Sequence, residues 1–341
     1  MTKSGASFRK VTASDVAERA GVSKWTVSRA FTDGASIAPA VREKVHRIAA
    51  ELGYSPNLLA RSLATRKTHI IGLVVDEMAS NPNQLALLNE VTRQLQLKGY
   101  SSLLLNISSV YSSAAALTLA DQLQIDGLLF LGVTLTDELV NLARNIKHIP
   151  LVVMFRNSED AGIPYVSTDG YQAGQEIARL FLDQGYRSIG YMSGPTSAGT
   201  TLRRFEGFKE GLRAGQVALR NVLHADHYDR SCGMQALMRH WESTPRQERI
   251  EALFCENDIL AIGAMDCLVA CHAARRIAIV GFDDIDIAAS PSYELTTFRQ
   301  PMEYLVTEAV NRLLDPAART ADSCLAPGIL VLRGSHKRDP G

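Results

Sequence analysis

The first 56 residues place apolar and polar positions at the spacing of short helices. Thr12 and Asp15 form an acidic variant of a capping box, which predicts that a helix begins in VTASDVAERAG. Gly21 is placed to end that helix, and Ser23 is placed to cap a second one, SKWTVSRAF. Two short helices joined by a tight turn are typical of a helix-turn-helix unit, whose second helix enters the major groove of DNA.

An apolar stripe predicts a third helix in APAVREKVHRIAAELGY. Its members recur at helical spacing and are Val41, Val45, Ile48, Ala49 and Leu52. Pro39 suits the first turn of this helix, and Gly53 is placed to end it. The third helix can therefore pack across the first two and close a small core.

The segment NLLARSLATRKT is apolar on one side and basic on the other. It is too short to be a stable helix in water, so we expect it to fold only with DNA and a second copy of the chain. We therefore predict three parts. They are a helix-turn-helix DNA-binding head over residues 1–56, a linker over 57–67, and an α/β core over 68–341.

Beyond residue 68, short apolar runs alternate with helical stretches. The runs are HIIGLVVD, YSSLLLNIS, DGLLFLG and PLVVMF, followed after residue 165 by RSIGYMSG, NVLHAD, EALFCEN and IAIVGFDD. Strands that alternate with helices indicate parallel sheets covered by helices on both faces, and the repeat indicates two α/β lobes. Ligands of such sheets bind beyond the carboxyl ends of the strands, so we expect a ligand in the cleft between the lobes.

Charge is divided unevenly along the chain. Residues 1–67 hold 12 lysines and arginines against 5 acidic residues, a net charge of +7, whereas the whole chain holds 36 of each. The remainder therefore carries a net charge of −7. A basic head on an acidic body indicates that the head meets an anionic polymer, although a solvated basic tail would have the same composition.

Several classes of protein find no support in the sequence. The opening MTKSGASFRKVTASD has no apolar stretch, and no apolar run reaches the ~18 residues of a membrane span. Five cysteines, all in the second half, fit a reduced protein, so we expect a cytoplasmic location. GxGxxG, GxxxxGK and GxSxG are absent from the sequence, so we expect neither a cofactor nor an enzymatic activity.

No metal site is predicted either. Cys267 and Cys271 are spaced to share a helix face, but no pair of histidines or cysteines accompanies them at zinc-like spacing. We interpret both as small buried residues. His224 and His227 in LHADHYD are interpreted as surface or hydrogen-bonded histidines.

The succession VTASDVAERAGVSKWTVSRAF, VREKV, LGYSPN and LARSLA resembles the LacI-type family of bacterial transcription regulators, which includes the lac and purine repressors. VSTDGYQAG, RRFEGF, LFCENDILAIGAM, VGFDD and LVLRGS extend this resemblance over nearly the whole chain. It implies an all-α helix-turn-helix head and a two-lobed α/β core with parallel sheets, similar to periplasmic sugar-binding proteins. It also implies a homodimer on pseudo-palindromic operator DNA, with residues 57–67 as hinge helices paired in the minor groove. Residues 68–341 would then be the effector-binding and dimerisation core.

Carried over position by position, the resemblance implies that Lys24, Trp25 and Arg29 read bases. The whole set of expected DNA contacts is Thr12, Ser23, Lys24, Trp25, Thr26, Ser28, Arg29, Asn57, Arg61 and Leu63. Leu63 corresponds to the leucine that wedges into the central base step, a role in keeping with apolar side chains that kink DNA; the alternative is an ordinary linker leucine.

Two positions of the head depart from the family pattern. Trp25 stands where relatives usually have a small or polar side chain, and an indole cannot make bidentate contacts to a base. It would either pack on thymine methyls or the sugar edge, or fold back onto the head. Ala38 stands where a helix-capping serine or threonine is common, and Pro39 compensates for part of that loss.

The resemblance also implies a ligand site in the core. Arg204, Asn257 and Asp283 match the residues that line the effector cleft, and arginine with carboxylate suits a polyol. Phe155 replaces an aspartate that accepts from a sugar hydroxyl in many relatives, and Arg156 follows it. This exchange indicates an acidic effector, such as a sugar acid or phosphosugar, unless Arg156 is a solvated loop residue.

Three further positions near that cleft have two interpretations. Asp258 is expected to cap the following helix rather than to bind the effector. Tyr165 and Phe208 either stack on a ligand ring or belong to the core. We expect a dimer rather than a tetramer, because no leucine heptad follows LVLRGS.

The expected function is a sequence-specific DNA-binding transcription regulator, most often a repressor in this family, controlled by a sugar-like or sugar-acid effector. Two alternatives come from other classes of protein. A small-molecule binding protein without a DNA role would explain the core but not the head. A nucleotide-dependent enzyme would need a phosphate loop that the sequence does not contain.

Overall fold

The computed structural model describes residues 11–32, 34–55, 67–76, 82–107, 112–132, 149–155, 164–195, 203–271, 277–318 and 323–338. The chain forms two compact units, residues 1–68 and residues 69–341. In the described part of the chain, no helix has the length and apolar character needed to cross a membrane.

The first unit contains three helices, and their caps are those predicted. They are α1 (Ala13–Ala20), α2 (Lys24–Ala30) and α3 (Pro39–Leu52). At the start of α1 the backbone N–H of Thr12 donates to the Asp15 carboxylate at 2.8 Å. Ser23 Oγ accepts from the backbone N–H of Thr26 at 3.1 Å. Gly21 has a φ of 63°, the left-handed conformation that ends a helix at low cost.

The three helices enclose one small apolar core, and α2 packs against it through Val27 and Ala30. Its buried members are Val16, Ala17, Ala20, Val27, Ala30, Val45, Ile48 and Ala49. Arg42 and His46 of α3 both donate to the carbonyl oxygen of Ala30, at 3.1 and 2.9 Å. These side chains satisfy the last turn of α2, and the positive charge of Arg42 complements its dipole. The packing of α3 therefore fixes the orientation of α2.

The second unit contains two parallel sheets flanked by helices. Its strands are β1 (Ile70–Asp76), β2 (Ser101–Ile107), β3 (Gly127–Leu131), β4 (Leu151–Met154), β5 (Tyr165–Thr168), β6 (Ile189–Ser193), β7 (Leu219–His224), β8 (Ala252–Cys255), β9 (Ala278–Asp283), β10 (Thr296–Arg299), β11 (Cys324–Ala326) and β12 (Ile329–Val331). Its helices are α4 (Pro82–Leu97), α5 (Ser113–Gln122), α6 (Gly170–Asp183), α7 (Arg204–Ala214), α8 (Arg230–Ser243), α9 (Asp258–Ala270) and α10 (Met302–Leu314).

Each sheet belongs to one lobe. The first has the strand order β11-β5-β4-β3-β1-β2 and the second the order β12-β10-β9-β8-β6-β7. All pairings are parallel except that of β12 with β10. The two α/β lobes predicted from the sequence are therefore confirmed. Strands β5, β10, β11 and β12 were not predicted. Their sequences YVST, TTFR, CLA and ILV are short and do not stand in the longer apolar runs that indicated strands such as β4 and β8.

The lobes are not two consecutive halves of the chain, as the repeated pattern suggested. After β10 the chain returns to the first lobe, where Leu305, Val306, Val310 and Leu313 of α10 pack with apolar residues of β1, β3 and β4. It then adds β11 to the first sheet and β12 to the second. Several segments therefore pass between the lobes.

Candidate nucleic-acid interface and effector site

Helix α2 turns one face outward. Lys24, Trp25 and Ser28 are exposed, and Arg29 is half-buried, whereas Val27 is buried in the head core. The outward side chains are chemically varied and include a cation, an indole and a hydroxyl. This combination suits contacts with base edges and phosphates, because charged and hydroxyl groups supply donors and an aromatic ring supplies an apolar face.

Three hydroxyl groups among the expected DNA contacts already make hydrogen bonds within the head. Ser23 Oγ lies 2.9 Å from Thr26 Oγ1 and also accepts from the Thr26 backbone N–H. The hydroxyl of Thr12 donates to the Asp15 carboxylate at 2.7 Å. All three residues hold the helix starts in place. Their direct part in DNA binding stays a prediction.

Trp25 does not fold back onto the head. Its side chain is 66% exposed, and the guanidinium carbon of Arg29, one turn later, lies 4.4 Å from the centroid of its ring. Arg29 Nη2 also donates to the carbonyl oxygen of Ser36 at 2.8 Å. The exposed indole and the guanidinium therefore form one stacked surface on α2.

Four predicted site residues lie outside the described residues. They are Asn57, Arg61 and Leu63 of the linker, and Arg156 after β4. Their roles stay predictions drawn from the sequence.

Arg204, the first residue of α7, is a buried cation in the second lobe. Only 6% of the residue is exposed, and its guanidinium carbon lies 3.6 Å from the centroid of the Phe282 ring. Nη1 donates to the carbonyl oxygen of Glu256, at the end of β8. Gly207 positions this helix, because a Cβ there would clash with the carbonyl oxygen of Tyr171 on α6. The close contact of α6 and α7 thus sets the place of Arg204.

Asp283 ends β9 and receives donors from both lobes. Gln300 Nε2 donates to its Oδ1 at 2.7 Å, and the side chain of Asn83, in α4 of the first lobe, also hydrogen-bonds to it. Burial raises the pKa of Asp283 to about 7, while the positive charge of Arg204 opposes that shift. The sequence prediction that Arg204 and Asp283 share one site is consistent with this electrostatic coupling.

Gln300 links the ends of the two sheets and was missed in the sequence. Its Oε1 accepts from the hydroxyl of Thr168 at 2.7 Å, and its amide nitrogen donates to Asp283. Thr168 ends β5 in the first sheet, whereas Gln300 directly follows β10 in the second. A prediction of β10 would have placed Gln300 at a carboxyl end, where ligands of parallel sheets bind.

The capping assignment at the start of α9 is corrected. Asn257, not Asp258, is the cap, because Asn257 has extended backbone angles and its Oδ1 accepts from the backbone N–H of Leu260 at 3.1 Å. Asp258 is fully buried and accepts from Thr297 Oγ1 at 2.6 Å and from the backbone N–H of Ile285 at 2.9 Å. Burial raises its pKa to about 6. Asp258 therefore fastens α9 to β10 and the loop after β9.

Glu256 is a second polar group that sequence reasoning missed. Its carboxylate accepts from the hydroxyls of Tyr191 and Tyr228, at 3.1 and 2.9 Å, and from the backbone N–H of Gly194. Its carbonyl oxygen binds Arg204. Glu256 follows β8, as Asp283 ends β9, so the carboxyl ends of adjacent strands bring the two acids and Arg204 to one edge of the sheet.

The aromatic candidates divide between the core and the strand ends. Tyr165 and Phe208 are buried in the apolar clusters of their lobes, so the core interpretation is correct for both. Phe155 follows β4 with a φ of 61° and is 9% exposed within the first-lobe core. Its contact with an effector stays a prediction.

Histidine and cysteine side chains show ordinary structural contacts. His224 Nδ1 lies 2.8 Å from Ser193 Oγ, and Cys267 is buried while Cys271 is half-buried. Among the residues with assigned positions, no group of three or more histidine, cysteine, aspartate and glutamate side chains could hold a metal ion.

Comparison with known proteins gives two family matches and consistent relatives. Residues 12–57 match the bacterial regulatory proteins of the lacI family. Residues 68–290 match the periplasmic binding proteins and sugar binding domain of the LacI family. The chain is 30% identical over 310 residues to the HTH-type transcriptional repressor PurR of Klebsiella pneumoniae, covering 89% of each. It is 30% identical over 314 residues to PurR of Pectobacterium atrosepticum, with the same coverage.

Solved structures show the same architecture. The lac repressor dimer bound to operator and the anti-inducer ONPF has a TM-score of 0.85 and 25% identity, covering 96% of this chain and all of that one. The transcriptional regulator CelR in complex with cellobiose has a TM-score of 0.67 and 25% identity, with the same coverage. The helix-turn-helix head, the two parallel-sheet lobes and both family matches agree, and the chain belongs to the LacI family of bacterial regulatory proteins.

Proposed function

We propose that this regulator, which is not an enzyme, represses transcription by binding operator DNA through α2 in the major groove. The observation that carries the proposal is the outward face of α2, where Lys24, Trp25, Ser28 and Arg29 are grouped on a helix anchored at both ends. The lac repressor similarity supports it, because that protein is bound to operator DNA as a dimer.

Two copies bind a pseudo-palindrome, one α2 to each half-site. Symmetric protein dimers read symmetric DNA sites in this way. The linker of residues 57–67 forms the hinge, in which Leu63 wedges into the central base step and Arg61 contacts phosphate. Phosphate contacts make the affinity salt-dependent.

The effector is a small polyhydroxy compound, a sugar or a sugar acid, bound at the strand ends beside Arg204 and Asp283. Arginine donors, the Asp283 carboxylate and the Gln300 amide offer the alternating donors and acceptors that hydroxyl groups require. The match to a sugar binding domain and the CelR structure with cellobiose support this class. The positive charge of Arg156 favours a sugar acid over a neutral sugar.

Effector binding controls DNA binding through the position of the lobes. Asp283 receives hydrogen bonds from Asn83 of the first lobe and Gln300 of the second, so a ligand that displaces them changes contacts across the lobe boundary. A shift of the lobes then changes whether two hinge segments pair on DNA. The effector site and the DNA-binding site are thereby linked by a coupling free energy.

In vitro selection tests the DNA part. The purified chain selects from a random duplex library, and gel shifts then measure the selected sequence at increasing salt. We expect enrichment of a pseudo-palindrome bound by a dimer. Failure to enrich any sequence at low salt, with and without a panel of sugars and sugar acids, contradicts the proposal.

Calorimetric titration of the same panel tests the effector part. Tight binding of a sugar acid supports the acidic effector, whereas tight binding of a neutral sugar alone rejects it. A chain that binds sugars but never selects DNA would instead be a small-molecule binding protein.

A further inference from the structure

The stacked pair of Trp25 and Arg29 restricts how Arg29 presents its hydrogen-bond donors. The two residues are four apart on α2, a spacing that places their side chains on the same face. The guanidinium lies over the indole ring at 4.4 Å, within the range of a cation–π contact. One face of the guanidinium plane is therefore covered by Trp25.

Two of the three nitrogens of that guanidinium are constrained within the head, one by a hydrogen bond and one by burial. Nη2 donates to the carbonyl oxygen of Ser36 at 2.8 Å. Nε is buried, and no residue in the described part of the chain accepts a hydrogen bond from it. A buried donor without an acceptor is costly, and the electron-rich indole face offsets part of that cost. Trp25 thus stabilises an arginine geometry that would be unfavourable beside an aliphatic residue.

The donors that remain are those of Nη1 and the second N–H of Nη2. Arg29 can approach guanine O6 and N7 side-on, through Nε and Nη2, or end-on, through Nη1 and the second N–H of Nη2. Burial of Nε closes the side-on route. The end-on route does not require Nε.

We propose that Trp25 is a positioning residue, which holds Arg29 for end-on recognition of a guanine in each half-site. This inference rests on the proposed operator binding and adds to it the base that Arg29 reads. Trp25 remains 66% exposed, so its outer face is free to pack on the neighbouring nucleotide without leaving the stack. The indole acts on specificity through Arg29, by reducing the number of orientations that the arginine must give up on binding.

The test uses the duplex selected by the unmodified chain and a second duplex in which the guanine opposite Arg29 is replaced. The measured quantity is the ratio of the two dissociation constants. Arg29→Ala identifies the position, because it reduces the ratio there by about tenfold or more. We expect Trp25→Ala to reduce the same ratio by about two- to fivefold.

Matched variants separate positioning from direct contact. Trp25→Phe keeps an aromatic face and should retain part of the ratio, whereas Trp25→Leu keeps apolar bulk without that face and should behave as Trp25→Ala. In an Arg29→Ala background, Trp25→Ala should leave the ratio unchanged. An equal effect of Trp25→Ala on the ratio with and without Arg29 would overturn the proposal. Full retention of the ratio by Trp25→Leu would overturn it as well.

A spectroscopic measurement places Trp25 on the DNA independently. The chain has two tryptophans, and Trp241 lies in the core unit beneath Arg249, 4.1 Å from its guanidinium carbon. In Trp241→Phe, fluorescence reports on Trp25 alone, and we expect the selected duplex to protect it from acrylamide. Unchanged quenching in the bound complex would also overturn the inference. Absence of any selected duplex would instead reject the proposed function.

Discussion

The guanidinium carbon of Arg204 lies 3.6 Å from the centroid of the Phe282 ring. Phe282 directly precedes Asp283 in the sequence. The ring supports the arginine plane, and the Glu256 carbonyl oxygen fixes one end of it. A buried Nε without an acceptor remains on this arginine in the described structure. Arg204 therefore places a positive charge at the strand ends, where the proposed effector would bind.

Arg204→Ala is expected to abolish the effector response and to leave DNA binding intact. A charge-assisted hydrogen bond contributes about 1.5–3 kcal/mol, so effector affinity should fall by at least tenfold. Calorimetry measures the affinity, and gel shifts measure DNA binding with and without effector.

Arg213→Ala is the matched control for that variant. Arg213 lies at the other end of α7, its side chain is 74% exposed, and it pairs with Glu210. The Arg213→Ala variant should bind effector with the affinity of the unmodified chain. If Arg204→Ala responds at the same effector concentration as this control, Arg204 does not contact the effector.

Gln300→Leu is expected to lower the free energy of unfolding of the core by about 2 kcal/mol. The leucine removes the donor to Asp283 and the acceptor of Thr168, and each buried polar group left without a partner costs about 1–3 kcal/mol. Urea denaturation measures the change. The exposed Gln172, which bonds to Glu176, provides the control: Gln172→Leu should stay within about 0.5 kcal/mol. Equal stability of the two variants would show that the Gln300 bridge is not needed for folding.

The contribution of Asp283 and Asp258 to the stability of the core should fall as pH rises from about 4 to 7. Burial raises the pKa of Asp283 from 3.8 to about 7 and that of Asp258 from 3.8 to about 6. Between these limits the two carboxyl groups hold protons in the folded chain that they have released in the unfolded chain. Their contribution to the free energy of unfolding therefore falls with pH, by up to about 1.4 kcal/mol per unit for each such proton.

Asp283→Asn isolates the larger of these two contributions. Urea denaturation at pH 4, 5, 6 and 7 should show a shallower decline for this variant than for the unmodified chain. Parallel curves would mean that Asp283 titrates normally in the folded protein.

Leu63→Ala is expected to weaken operator binding and to leave effector affinity unchanged. The prediction comes from the position of Leu63 in LARSLA and from the ability of an apolar wedge to kink DNA. Gel shifts measure the affinity, and mobility of circularly permuted duplexes measures the bend. Unchanged affinity together with an unchanged bend would reject the wedge.

The sequence by itself determined the helical head and the alternation of strands and helices. Thr12, Ser23, Gly21 and Gly53 act within one or two turns of their own position, so their roles can be predicted from neighbouring residues. Long apolar runs such as GLLFL are buried on both faces and indicate a parallel strand without knowledge of its partners.

Only the tertiary structure decided the connections at the strand ends. The return of α10 to the first lobe depends on contacts with strands more than 140 residues away in the chain. The bridge from Thr168 through Gln300 to Asp283, the role of Asp258 and the raised pKa values likewise depend on burial by remote segments. Local patterns predict which residues form an element, but solvent exposure and long-range partners set what a polar side chain does there.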